Sequence, residues 1–142
     1  MTEIGREPEP VLPFLRRFYE FVIPLSWPVV RIACGMHLVI HGWGKILRGG
    51  TMSNATIAFG IFLTFIEFFG GICISIGLFT RFFAAAAAIE MGYLTFIQYW
   101  ANGYGWRTDG YEYVMMWGTL AFAIVLRGGG PYSVDRALGR EL

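Results

Sequence analysis

Residues 31–45 read RIACGMHLVIHGWGK, and they lie within an apolar run from Leu25 to Leu47 that is long enough to cross a bilayer. A spanning helix needs roughly 20 mainly apolar residues to cross about 30 Å of hydrocarbon. This run meets that length while carrying four ionisable side chains, Arg31, His37, His41 and Lys45. Wound at about 100° per residue with Arg31 at zero, His37 falls at about 240°, His41 at about 280° and Lys45 at about 320°. One stripe about 120° wide therefore holds all four, together with Cys34. Charges inside a span are costly and normally face other protein elements, so the stripe predicts partner helices bearing acidic groups.

Three further segments complete the expected set of spans. Ile57 to Phe79 is apolar apart from Glu67 and a few hydroxyls, and Phe82 to Trp100 holds Glu90 as its only charge. Tyr113 to Leu126 is clean but short, so the fourth helix is expected to start near Tyr111 with Glu112 at its entrance. On the second segment Gly60, Thr64, Glu67, Gly71 and Ser75 fall within about 80° of one another, a groove of small residues around one carboxylate. The turn from Arg48 to Ala55, Thr80 as a cap before Arg81, and the irregular stretch from Ala101 to Gly110 separate the segments. Gly128, Gly129, Gly130 and Pro131 stop the last one, and Ser133 is placed to cap a short surface helix.

The expected fold is thus an all-α membrane protein, a bundle of four transmembrane helices with a short interfacial segment before it. Residues 1–23 form that interfacial segment, 24–127 the transmembrane domain and 128–142 a C-terminal tail. No removable secretory signal is visible among the charges of Met1 to Glu20. With four spans, Arg6, Arg16, Arg17, Arg81, Arg127, Arg136 and Arg140 share one side, against Lys45, Arg48 and Arg107 on the other. That bias places both termini in the cytoplasm of a multi-pass protein. The aromatic stretch Tyr99 to Tyr113 then lies at the outer interface, and Phe14 to Ile23 lies along the inner one.

Composition narrows the function classes. Of 142 residues 56% are hydrophobic and 15% charged, with a formal net charge of +1. No basic field is present for nucleic acid, and the expected partner is membrane lipid. Cys34 and Cys73 form no CxxC pair and read as small packing residues. His37 and His41, one turn apart on one helix, cannot ligate a haem from opposite sides, and no Glu-x-x-His pair marks a di-iron site. No metal is expected.

The candidate residues follow from buried charge. Glu67 and Glu90 must be neutral or paired with Arg31, Lys45 or a histidine. Arg31, Glu67 and Glu90 read as structural ion pairs, because Arg stays charged and suits two-pronged contact with a carboxylate. His41, Glu67 and Glu112 are the candidates for proton exchange, and His37, His41 and Lys45 for holding a ligand. The natural carbonyl ligand in a membrane is a quinone head group.

In order along the chain stand Arg31 with Gly35, then HGWGK (41–45), EFFGG (67–71), GLFTR (77–81), GYEY (110–113) and GGGPYSVDR (128–136). This set, over Arg31 to Leu138, resembles the DoxX family of small bacterial and archaeal membrane proteins. The resemblance implies a four-helix subunit of the bacterial cytoplasmic membrane, associated with redox complexes such as thiosulfate:quinone oxidoreductase. Quinone is then the expected cofactor, and a larger membrane complex or a second copy the expected partner. The third helix departs from the family pattern, since a histidine often found near its outer end is replaced around Gln98 to Trp100. The chain encodes no redox centre of its own, so electrons would come from a partner. A non-catalytic accessory subunit of a respiratory or photosynthetic complex is the alternative. A transporter or channel has less support, because no inverted repeat is evident.

Overall fold

The computed structural model describes residues 12–48 and 57–141. The segment 1–11 and most of the expected Arg48 to Ala55 turn lie outside the described residues. Everything ordered into elements among them is helical. The first helix, α1 (Arg16–Leu47), rises about 48 Å. It runs unbroken through Pro24 and Pro28, so the segment expected to lie separately along the surface, Phe14 to Ile23, is continuous with the first span. Each proline removes one donor from the ladder, and the helix continues past both.

The second rod is composite. The helix α2 (Ile57–Phe65) passes through a π-helical turn, Ile66–Gly70, into α3 (Gly71–Ile76). A π-turn inserts an extra residue into the ladder and is recurrently found at functional positions. The third rod is α4 (Thr80–Tyr93), extended by a second π-turn, Leu94–Gln98. Short 3₁₀ turns at Trp100–Asn102 and Trp106–Thr108 lead to α5 (Glu112–Arg127), and α6 (Val134–Leu138) follows. Among the described residues two helices, Pro13–Leu47 and Phe59–Ile76, are long and apolar enough to cross a membrane.

Small residues set the packing. A Cβ on Gly35 would overlap Ser75 Oγ and the Gly71 carbonyl, and one on Gly71 would come within 2.6 Å of the Gly35 carbonyl oxygen. The two backbones therefore cross in direct contact, and the groove of Gly71 and Ser75 is where α1 lies. Thr64 and Ser75 hydroxyls donate back to the Gly60 and Gly71 carbonyls, which satisfies both hydroxyls without a distant partner. On the other side Ala84 and Ala87 of α4 pack against Ala121 and Ile124 of α5, with Cys34, Leu38, Ile74 and Met91 completing the core. Both cysteines are free thiols. While α1 adjoins the second rod and α4 adjoins α5, α1 and α5 meet only sparsely, and a cleft opens between them.

The C-terminal segment is built into the end of the bundle, where a surface tail was expected. Arg31, 2% exposed, donates from Nε to the Ser75 carbonyl at 3.3 Å, from Nη2 to the Tyr132 carbonyl at 3.0 Å, and from Nη1 to the Gly129 carbonyl. Asp135, 4% exposed, caps α4 from 55 residues away. Its carboxylate accepts from Phe79 N–H (2.8 Å), Thr80 N–H (2.9 Å) and the Thr80 hydroxyl (2.6 Å). Thr80, expected as the cap, is thus the capped residue. Gly77 ends α3 with φ of +76°, and a Cβ there would meet Arg31 Nη1 at 2.7 Å, so glycine is required on both counts. Ser133 caps α6 by accepting from Arg136 N–H.

Candidate functional site

The stripe on α1 delivers its four ionisable groups to two separate places. Arg31 and Lys45 are 14 positions apart, about 21 Å along the axis. Arg31 forms no ion pair with Glu67 or Glu90, correcting the pairing expected for it. Each of its three guanidinium nitrogens donates to a backbone carbonyl at the far end. Peptide oxygens accept from a guanidinium just as carboxylate oxygens do, and they leave no mark in the sequence.

Lys45 holds both buried carboxylates. Its Nζ lies 2.8 Å from Glu67 Oε1 and 3.7 Å from Glu90 Oε1. Glu67 is 3% and Glu90 4% exposed. The π-turn that begins at Ile66 carries Glu67, and α4 carries Glu90, so three elements contribute one group each. Glu67 Oε2 and both Glu90 oxygens have no hydrogen-bond partner among the described residues. Such orphaned acceptors are costly in an apolar interior unless a proton or ligand completes them. One ammonium balances one carboxylate, so the cluster as drawn has acceptor capacity to spare.

Above Lys45 and Glu67 the cleft between α1 and α5 measures about 430 Å³. That lies within the roughly 300–1,000 Å³ of small-molecule sites. His37 stacks face to face on Trp117, with ring centroids 3.9 Å apart and planes inclined by 6°. The Tyr113 hydroxyl lies 2.6 Å from His37 Nε2, a hydrogen bond in either tautomer. The His41 ring is 4.6 Å from that of His37 and 6.1 Å from that of Tyr113. It faces the cleft and makes no side-chain hydrogen bond among the described residues. Trp106 and Asp109, from the loop before α5, close the far wall.

Of the residues singled out by sequence, His37, His41, Lys45 and Glu67 therefore line one cleft, and Glu90 joins it through Lys45. Glu112 does not line it. Its Oε2 accepts from Trp106 N–H at 3.2 Å, which fixes the turn that presents the Trp106 ring. Among the other lining residues, Tyr113 serves as a hydrogen-bonding group and Trp117 as a platform, roles that the sequence alone does not assign. Their spacing of four, like that of His37 and His41, puts each pair on one face of its own helix. Among the described residues no three of His, Cys, Asp and Glu converge as metal ligands.

The arrangement can seat a flat ring against aromatic walls, offer it donors from His41 and Lys45, and present an open acceptor on Glu67. A family model, DoxX, matches residues 26–100, more than half of the chain. The matched stretch contains Arg31, His37, His41, Lys45, Glu67 and Glu90, and stops before the α5 wall of the cleft. No curated protein and no solved structure matches the chain.

Proposed function

The chain belongs to the DoxX family of membrane proteins, and we propose that it is a multi-pass subunit of a quinone-linked redox complex that binds a quinone head group in the α1/α5 cleft. The observation that carries this is Glu67. One of its oxygens is held by Lys45 and the other is unpartnered, at the foot of a cleft whose walls are His, Tyr and Trp rings. A planar head group with oxygens at opposite ends fits that combination of stacking surface and polar ends. Quinone, when bound, supplies the electron acceptor, and the electrons come from a partner subunit.

The residues of this chain handle position and protons. His41 is free to donate to a carbonyl oxygen entering the cleft. Lys45 sets the charge of the floor. A single ammonium neutralises only one carboxylate, so one of Glu67 and Glu90 lacks a counter-charge, and Glu67 is the member that reaches the cleft. The π-turn aims it there. In this reading the rods containing α4 and α5 also cross the membrane, giving four spans in a bacterial cytoplasmic membrane with both termini on the cytoplasmic side.

The accessory-subunit reading is favoured by one fact: His37 is already satisfied by Tyr113 and Trp117. In that case the polar cluster only fixes how the helices pack. Purification from native membranes, with extraction of bound quinone and mass spectrometry of co-purifying subunits, decides between them. With His41→Ala, quinone content and quinone reduction by the complex fall together if the cleft is the site. If both persist while only the yield of the complex drops in a deletion strain, the quinone role is wrong and the accessory role stands.

A further inference from the structure

A second cleft lies at the opposite end of the bundle from Lys45, and it is basic. It measures about 320 Å³ and is bordered by Arg127 at the end of α5, Arg136 in α6 and Arg140 beyond it. Two carboxylates also border it, but both are engaged elsewhere. Asp135 is consumed in capping α4. Glu141 pairs with Arg81 at 3.2 Å and accepts from Gly129 N–H. Arg127, Arg136 and Arg140 have no carboxylate partner among the described residues. The lining thus carries three guanidiniums against two carboxylates, one of which is already paired with Arg81, and is net positive.

Their placement is not that of loose surface charges. The Arg127 guanidinium lies over the Trp27 ring, 4.6 Å from its centroid, and the Trp27 indole N–H donates to the Gly128 carbonyl at 2.9 Å. Trp27 thereby anchors the loop and orients the cation above it. Arg136 and Arg140 are carried by a segment that Arg31 and Asp135 lock into the bundle. Close in sequence to the lining residues, Leu126, Tyr132 and Leu138 are 65%, 71% and 64% exposed, so apolar surface accompanies the charged groups on the same segments. Guanidinium forks match phosphate oxygens in geometry as well as in charge.

We propose that the Arg127–Arg136–Arg140 cleft binds a phosphate group, and that the phosphate is the head group of an anionic membrane phospholipid. Basic pockets at the cytoplasmic ends of spanning helices gain about 1 kcal/mol per Lys or Arg from anionic lipid. The exposed Leu126 and Leu138 provide a surface for the acyl chains. This site is separate from the quinone cleft and does not depend on it.

The test titrates the detergent-solubilised full chain with phosphatidylglycerol, with phosphatidylcholine and with inorganic phosphate, and reads bound ligand by native mass spectrometry. Phosphatidylglycerol binds and phosphatidylcholine does not. The R136Q/R140Q variant, whose side chains are exposed and support no buried group, weakens that binding roughly thirtyfold, and adding R127Q takes the loss to roughly a hundredfold. An R16Q/R17Q control, with the same charge removed from the start of α1, keeps the wild-type affinity. Inorganic phosphate that fails to displace the lipid assigns the head group as the source, whereas phosphate that binds and displaces it assigns a free anion to the same three residues. Equal binding of the two lipids, or an R136Q/R140Q protein that binds phosphatidylglycerol as tightly as wild type, overturns the proposal.

Discussion

Lys45 reaches from α1 into the π-turn of the neighbouring rod and meets Glu67 with Nζ 2.8 Å from Oε1. Contact of this kind between two elements does more than add attraction. Removing one member of a buried pair leaves the other charge without compensation, which costs far more than the pair contributes while intact.

Lys45→Met is therefore expected to destabilise the bundle by about 3–5 kcal/mol. The triple variant K45M/E67Q/E90Q, which removes all three charges, recovers most of that loss. Thermal unfolding in detergent micelles compares the two. A single variant as stable as wild type would show that Lys45 is not what neutralises the carboxylates.

The helix crossing predicts opposite outcomes for two glycines. At Gly42 a Cβ would sit 2.6 Å from the Phe68 amide nitrogen, so Gly42→Ala forces two backbones apart at a cost of about 1–3 kcal/mol. At Gly92 nothing lies within 4 Å, and Gly92→Ala stabilises α4 by up to about 1 kcal/mol through helix propensity alone. Equal melting temperatures for the two variants would contradict the crossing.

Asp135→Ala takes one carboxylate from three donors at once, two amides and the Thr80 hydroxyl. The expected loss is about 2–3 kcal/mol, with fraying of α4 at its start. Hydrogen exchange at residues 79–83 should rise first. An unchanged exchange rate there would mean that the cap is not what holds the helix end.

Within the cleft, Tyr113→Phe deletes the hydroxyl beside His37 at a cost near 1 kcal/mol and leaves the aromatic wall in place. Quinone affinity, read by quenching of tryptophan fluorescence with a short-chain quinone, should fall by less than roughly tenfold. His41→Ala and Glu67→Gln should each exceed that loss. The reverse ranking would assign the head group to the wrong wall.

Much of this architecture was legible along the chain, for a reason that the residues make plain. A charged stripe on an apolar helix has one tolerable direction, so the inward facing of Arg31, His37 and Lys45 follows from spacing. The small-residue groove on the second rod follows from the same argument. Three features were hidden. The π-turn at Ile66–Gly70 is a slip of backbone hydrogen bonds that hydropathy does not encode. The partners of Arg31 are peptide oxygens, available from any residue type. The cap on α4 comes from Asp135, whose role depends on a loop returning across the bundle. Glu112 was read as a candidate for proton exchange, and its acceptor duty to a main-chain amide six residues upstream is another contact that side-chain chemistry alone does not announce.

The folding back of the C-terminal segment also orders events during synthesis. Until Tyr132 and Asp135 have left the ribosome, Arg31 lacks two of its three acceptors and α4 has an open first turn, although both helices are already made. Closure of this end of the bundle is thus the last of these contacts that the order of the chain permits, after α1 and α4 are both made.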